Sequence, residues 1–433
     1  GRMNRILDFS EELAYITVEA GVTQQQLAEY LQEKGANLFM SMTGGPPDAS
    51  LMGNALERGI GKGPYGDKFN HVCGLEVVLP TGECIHTGFE RFENAKTAKI
   101  HRWGVGPYLD GLFTQSGLGI VTRMTLWLHP ISEHFQTFYY TVKDDAKLDG
   151  LIDALRHLKL TGIIRGTFVI ANDYRILTMQ PYPWTADGKA PGVPFPPEIL
   201  KKSLGGAKWA GEGALYSVSR KHGQAERQYI KQLLKNHVDK LVFVDRRKAF
   251  FYKWAAPLYK RFKGIEVNMD SLFYRTIHRG VPSDAFSTLG YWKKRIPVPA
   301  DKDLDQDGCG LLWCAPAVPM QGTALREALT LIEMTLVAHQ FEFNVGLNCF
   351  SERCMDITIG IIYDRDVDGE DQRAMDCYET LWTKLNEAGY IPYRAGIQSM
   401  HSFPPVRDDY QTLLNNVKNT LDPNCILAPG RYL

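Results

Sequence analysis

Tyr393 and Arg394 are neighbours in the sequence, a phenol hydroxyl beside a guanidinium. Such a pair can receive an oxyanion, because both side chains donate hydrogen bonds and one carries a fixed positive charge. The bland alternative is a strand residue next to a surface ion pair. A second candidate is the stretch 42–66, MTGGPPDASLMGNALERGIGKGPYG, with glycines at 44, 45, 53, 59, 61, 63 and 66. Without a Cβ, main chain there can approach a flat or charged ligand closely. Ser50 and Asn54 add polar side chains, and the bland alternative is a structural loop of tight turns. Gly117 and Gly119 precede a predicted strand, where composition alone favours an ordinary loop-to-strand entry. The histidines are scattered, with no HExxH pair, and no GxxxxGK[ST], GxSxG or strand-following GxGxxG occurs. Zinc-protease, P-loop, hydrolase-elbow and nicotinamide-Rossmann chemistry are therefore unsupported.

The elements that must position these residues read as follows. Residues 12–19 alternate like a strand, with Ala14, Ile16 and Val18 on one face. Thr23 caps a predicted helix over 24–34 that Gly35 ends. Residues 72–88 predict a hairpin around Pro80-Thr81-Gly82, and 118–128 a further strand. From about 131 strands and amphipathic helices alternate: strand 136–142, helix 145–160, strands 166–180, helix 221–237, strand 240–245, helix 323–339, strands 341–350 and 354–363, helix 370–388. Long helices between strand pairs predict helices packed on one side of an antiparallel sheet. The Pro-rich 181–200 and the acidic 299–308 read as surface excursions. A last helix is predicted over 409–420.

The bulk numbers narrow the function classes. With 433 residues the chain has room for two or three domains, and equal counts of 49 basic and 49 acidic residues leave no basic field for nucleic acid. Its 8 cysteines lack metal or disulfide spacing, which favours a reducing, cytoplasmic setting. No apolar run reaches the roughly 18 residues of a membrane span.

Several stretches resemble one family in its order and spacing: MNRILDF (3–9), VEAGVTQQQLAEYL (18–31), GNALERGIGKGPYGDKF (53–69), CGLEVVLPTGE (73–83), GPYLDGLFTQSGLGIVTRMTLWLHP (106–130), Tyr393-Arg394 and LDPNCILAPGR (421–431). The chain is similar to the flavoprotein oxidoreductases typified by vanillyl-alcohol oxidase and para-cresol methylhydroxylase. The resemblance implies an α+β fold, a para-cresol-methylhydroxylase-type FAD-binding domain interrupted by an α+β cap domain with an antiparallel sheet. It implies domains at 1–130 and 131–388, the second being the cap, and a return to the first domain over 389–433. The N-terminal segment that binds the pyrophosphate in the family does not match this chain. Matching positions imply FAD contacts from Pro47, Ser50, Asn54, Glu57, Gly59, Gly61 and Tyr65, from Gly119, Ile120 and Val121, and from Arg431. Tyr393 and Arg394 match residues that hold a substrate phenolate. Asp48 matches, displaced by a few positions, an aspartate that acts near the flavin.

Family members often link FAD covalently through histidine or tyrosine. Here Met355, in SERCMDIT (351–358), stands at a family histidine position, so the expectation is non-covalent FAD. The implied reaction takes hydride from the benzylic carbon of a para-substituted phenol. Oxygen or a cytochrome would be the electron acceptor, and a homo-oligomer the assembly. Two alternatives are an oxidase of an aliphatic alcohol or hydroxy acid, and a flavin-free homologue acting as a binding component.

Overall fold

The computed structural model describes residues 2–179, 205–263, 270–274, 276–294 and 296–432. A first antiparallel sheet combines β1 (Ile6–Ser10), β2 (Tyr15–Glu19), β4 (Val72–Val78), β5 (Cys84–His86) and β6 (Ile120–Trp127) in the order β1-β2-β6-β4-β5. Its apolar side, with Ile16, Val18, Leu75 and Met124 fully buried, packs with Leu27 and Leu31 of α1 (Gln24–Glu33) and Leu51 of α2 (Leu51–Leu56). Thr23 caps α1 by accepting from the Gln26 N–H, and Gly35 follows at φ +62°, as the sequence pattern requires. Beside this sheet, β3 (Leu38–Phe39) pairs with β7 (His129–Pro130).

A second, larger antiparallel sheet contains β8 (His134–Val142), β9 (Phe168–Asn172), β10 (Trp209–Ser217), β11 (Lys240–Asp245), β12 (Cys309–Cys314), β13 (Ala317–Pro319), β14 (Val345–Cys349) and β15 (Cys354–Asp364). The order is β11-β8-β10-β9-β14-β15-β12, with β13 also on β15. The helices are α3 (Leu148–Leu160), α4 (Asp173–Thr178), α5 (Arg220–Leu234), α6 (Arg246–Lys263), α7 (Gly322–Ala338), α8 (Glu370–Glu387) and α9 (Tyr410–Leu421). Apolar stripes of α3, α5, α7 and α8 share one core with one face of the sheet, in which Phe138, Ile170, Leu347, Met355 and Ile357 are fully buried. Gly213 and Gly211 sit against the Phe138 and Tyr140 rings, where a Cβ would come within 2.4 Å and 2.2 Å of ring atoms. The strand glycines are thus vacancies that the aromatic side chains fill.

The structure departs from the sequence expectations at two short helices. Residues 51–56, expected within a loop, form α2 because the Ser50 hydroxyl accepts from the Gly53 N–H. Residues 173–178, expected as strand, form α4 because Asn172 caps it by accepting from the Arg175 N–H. The strands β1, β10 and β12 and the helix α6 complete stretches that periodicity left unassigned. The expected excursion at 181–200 lies outside the described residues. Val417 and Leu421 of α9 pack on the core of the first sheet, and Lys418 Nζ donates to the Gly117 carbonyl at 2.8 Å. The chain's last helix therefore docks on its first sheet. Among the described residues no helix is long and apolar enough to cross a membrane.

Candidate active site

Strand alternation builds one wall of the site. Direct cross-strand partners run from Tyr139 to Glu212, Val169, Asn348 and Asp356. Paired residues share a sheet face, so this is one polar row on the face opposite the helices. The adjacent row, Tyr140, Gly211, Ile170, Leu347 and Ile357, points into the helix-covered core. Three strand spacings separate Glu212 from Asp356, roughly 14 Å, which is ample room for an aromatic ring.

The glycine-rich segment lies against this wall. The Thr167 N–H, at the entry to β9, donates to the Gly63 carbonyl at 3.1 Å. A Cβ on Gly66 would meet Thr167 Oγ1 at 2.1 Å, and one on Gly61 would meet the Ser41 carbonyl oxygen at 2.4 Å. A Cβ on Gly59 would run into the Asn54 amide. Each of these glycines is demanded by a protein neighbour. Ligand approach is thus not their sole explanation.

Three buried polar atoms in this region have no hydrogen-bond partner among the described residues: Asn54 Oδ1, Lys68 Nζ and Thr167 Oγ1. Leaving such atoms dry and unpaired costs free energy, so their clustering marks a place for a polar ligand. Burial pushes the Lys68 ammonium down to about 7. Lys62 is also buried, 7% exposed; its N–H donates to the Met42 carbonyl at 2.7 Å, while its ammonium makes no hydrogen bond or ion pair among the described residues. Burial lowers its pKa, while Glu212 and Asp356, both within electrostatic range, oppose that shift. Glu212 is surrounded by protein yet keeps 36% of its side chain accessible, so it faces a cleft. Burial alone would raise its pKa, but His278, with Nε2 3.7 Å away, and Lys62 hold it down to about 2.

Asp356 is shifted in the opposite direction. Burial drives it up to about 6, against hydrogen bonds from Asn348 Nδ2 at 2.8 Å and Thr358 Oγ1 at 3.0 Å and the charges of Arg394 and Lys62. Its Oδ1 has no partner among the described residues. Its charge also reaches Tyr393, whose hydroxyl is pushed up to about 12 by burial and Asp356, against Arg394. Tyr393 therefore stays a protonated donor at neutral pH. Its main chain is fixed on both sides, by its N–H to the Ala315 carbonyl at 3.2 Å and by Gln115 Nε2 to its own carbonyl at 3.0 Å.

The sequence-derived residues fall into distinct places. Tyr393, the exposed Arg394 and Lys62 of the glycine-rich segment all lie within electrostatic range of Asp356. Glu57 and Arg431 form an ion pair, and Gln115 joins Glu57 to Tyr393 through both carbonyls. Tyr65 stacks on His71 with ring centres 3.9 Å apart. The Ser50 hydroxyl is used twice, capping α2 and donating to the Ala20 carbonyl at 2.8 Å. A Cβ on Gly119 would meet Val77 at 2.6 Å, Val121 is in the core, and Ile120 is exposed. Pro47 lies in the turn before α2, where its carbonyl accepts from the Gln25 N–H, and Asp48 is exposed. Met355 is buried in the helix-side core; its neighbour Asp356, also buried, points to the opposite face of the sheet. Lys62, Lys68, Glu212, His278 and Asp356 were not read as site residues. The alternation of Met355, Asp356, Ile357 and Thr358 was the one available signal.

Comparison with known proteins decides what kind of site this is. The family model described as "FAD binding domain" matches residues 1–88. The 1'-carboxy-chondrochloren decarboxylase of Chondromyces crocatus is 44% identical, over 100% of this chain and 80% of that protein. The 4-cresol dehydrogenase [hydroxylating] flavoprotein subunit of Pseudomonas putida is 28% identical, over 99% of this chain and 77% of that one. The crystal structure of p-cresol methylhydroxylase with substrate bound superposes with a TM-score of 0.85 at 28% identity, covering 100% of this chain and 78% of that one.

The chain belongs to the para-cresol methylhydroxylase and vanillyl-alcohol oxidase family. It is accordingly an FAD-binding oxidoreductase by family, and its mixed fold with antiparallel sheets is that family's. The unpartnered Asn54 and Lys68 atoms in the matched FAD-binding segment, with that of Thr167 at the entry to β9, fit a ligand as rich in hydrogen-bonding groups as FAD.

Proposed function

We propose that the protein oxidises a para-substituted phenol at its benzylic carbon, with FAD held non-covalently between the glycine-rich segment and the larger sheet. In this reading residues 1–130 with the return segment 389–433 form the FAD-binding domain, and 131–388 the cap. Asn54, Lys68, Thr167, Tyr65 and the Glu57–Arg431 pair would hold the cofactor, along with main chain of the 59–66 segment. Bound FAD supplies the hydride acceptor. The observation that carries the reading is the grouping of Tyr393, Arg394 and Asp356 within electrostatic range of one another.

The chain's own residues manage a proton and a charge. Ionising a phenol at neutral pH costs roughly three pKa units, about 4 kcal/mol. One hydrogen bond from a charged group returns about 1.5–3 kcal/mol, so a single arginine is insufficient. Arg394 and the un-ionised Tyr393 hydroxyl together suffice, and Asp356 is the base that accepts the phenol proton. The developing negative charge on the ring oxygen then expels hydride from the benzylic position. Asp48, which is exposed, has no step here. Arg394→Ala should leave flavin binding intact and slow flavin reduction by a para-alkylphenol by roughly 10- to 100-fold. Stopped-flow traces at 450 nm that matched wild type would remove the phenolate assignment.

A second reading shares this chemistry and adds a carboxylate. It is favoured by the decarboxylase relative and by Lys62, a buried lysine within electrostatic range of the same Asp356. Oxidation at the benzylic carbon of a para-hydroxyphenylpropanoic acid derivative leaves a quinone methide whose neighbouring carbon bears the carboxylate. Breaking that C–C bond releases carbon dioxide, and its electron pair forms the side-chain double bond as the ring regains aromaticity. Lys62→Met should raise KM for such acids roughly tenfold or more while sparing neutral para-alkylphenols. Equal effects on both substrate types would discard the carboxylate role and leave the first reading standing.

A further inference from the structure

Helix α6, Arg246–Lys263, reads RRKAFFYKWAAPLYKRFK, with seven lysines and arginines and no acidic residue. The chain as a whole is neutral, so this is a local concentration of charge. One side of the helix is already spoken for. Ala249 is fully buried, and Tyr252 packs with it against Val244 and Phe273. The opposite side carries a second apolar stripe. Phe250 and Trp254 are each 70% exposed and Phe251 is 59% exposed. These positions are i, i+1 and i+4, one patch on a helix surface, and Arg247 and Lys253 flank it exposed. A helix that merely covers a core has one apolar face, and a second, aromatic one in water needs a partner.

At the amino end of α6, Arg246 lines a cavity of about 440 Å3 with Arg279, His134, Phe135, Phe273 and Tyr274. Arg279 lies over the Phe135 and Phe273 rings at 5.5 Å and 6.0 Å. Burial and the like charge of Arg246 lower its pKa, a tension that an anion in the cavity would relieve. Glu133 lies at the same rim and leaves the two arginines in charge excess.

We propose that this face docks on an anionic membrane surface, with Phe250, Phe251 and Trp254 at the acyl boundary and the basic side chains among lipid phosphates. Aromatic rings with flanking cations suit the interfacial zone, where the ring is half-solvated and the charge meets phosphate. The Arg246–Arg279 cavity accepts one phosphate headgroup through guanidinium hydrogen bonds. The helix lies flat, since its charges forbid a span. Such docking brings the enzyme to hydrophobic phenols dissolved in lipid.

The test uses the full-length, flavin-loaded protein. It should co-sediment with vesicles of phosphatidylcholine mixed with phosphatidylglycerol, release as salt rises, and stay in solution with phosphatidylcholine alone. The F250S/F251S/W254S variant should keep its flavin spectrum and turnover but bind the mixed vesicles roughly tenfold or more weakly. Arg279→Gln should weaken binding with the aromatic patch intact. Wild type that ignores the anionic vesicles, or a triple variant that binds them unchanged, overturns the proposal. So does light scattering in which the triple variant becomes smaller than wild type, which would make the face a contact between copies of the chain.

Discussion

Asp356 carries the sharpest consequence at the residue scale. A carboxyl held near pKa 6 changes charge just below neutrality, where a base for a phenol is useful. The sign follows from the role: the base works when deprotonated, so kcat/KM should rise as pH passes upward through about 6. Asp356→Asn should flatten that limb and lower the plateau, while a limb that persists in the variant would assign the titration elsewhere. Tyr393 and Arg394 were readable in the sequence because adjacent phenol and guanidinium groups are chemically conspicuous. Asp356 was not, because a single acid in an apolar run looks like an interruption until the neighbouring strands reveal which face it occupies. Lys62 and Lys68 were equally hidden. On paper they are two of many lysines, and only burial without partners sets them apart.

At the element scale, helices α3, α5, α7 and α8 and strands β8, β11, β14 and β15 were legible, since amphipathic periods of 3.6 and 2 persist over many residues, whereas β10, β12 and the long α6 were left unassigned. The elements assigned wrongly were α2 and α4, each six residues long. Helices that short have no periodicity to read and exist because a single side chain, Ser50 or Asn172, starts them. The strand glycines give a direct test of packing. Gly211→Ala puts a methyl where the Tyr140 ring lies, in a core with nowhere to shift. Overpacking of this kind typically costs about 1–3 kcal/mol, so thermal unfolding should move down by several degrees. A midpoint equal to wild type would mean the ring has room to move. The same change at Gly162, at φ +72° with no atom near a new Cβ, probes backbone strain alone and separates the two causes.

The whole molecule closes its site from both ends of the chain. The return of α9 to the first sheet follows a family pattern more than a local one, and no short-range signal in residues 389–433 dictates it. If the proposed cofactor is held by enclosure alone, unfolding must free it. Acid precipitation should send the yellow colour into the supernatant, and colour retained in the pellet would mean a covalent bond. Gln115 and Tyr393 meet across 278 residues, and Lys418 and Gly117 across 301. Contacts that close such long loops carry the largest entropy cost and form late. On a ribosome, Lys62 in the glycine-rich segment would wait for the strands that carry Glu212 and Asp356, made long after it, before meeting its final neighbours. Until then that lysine remains open to water and loses little, so the energetic demand of a buried charge arises only once β10 and β15 have joined the sheet.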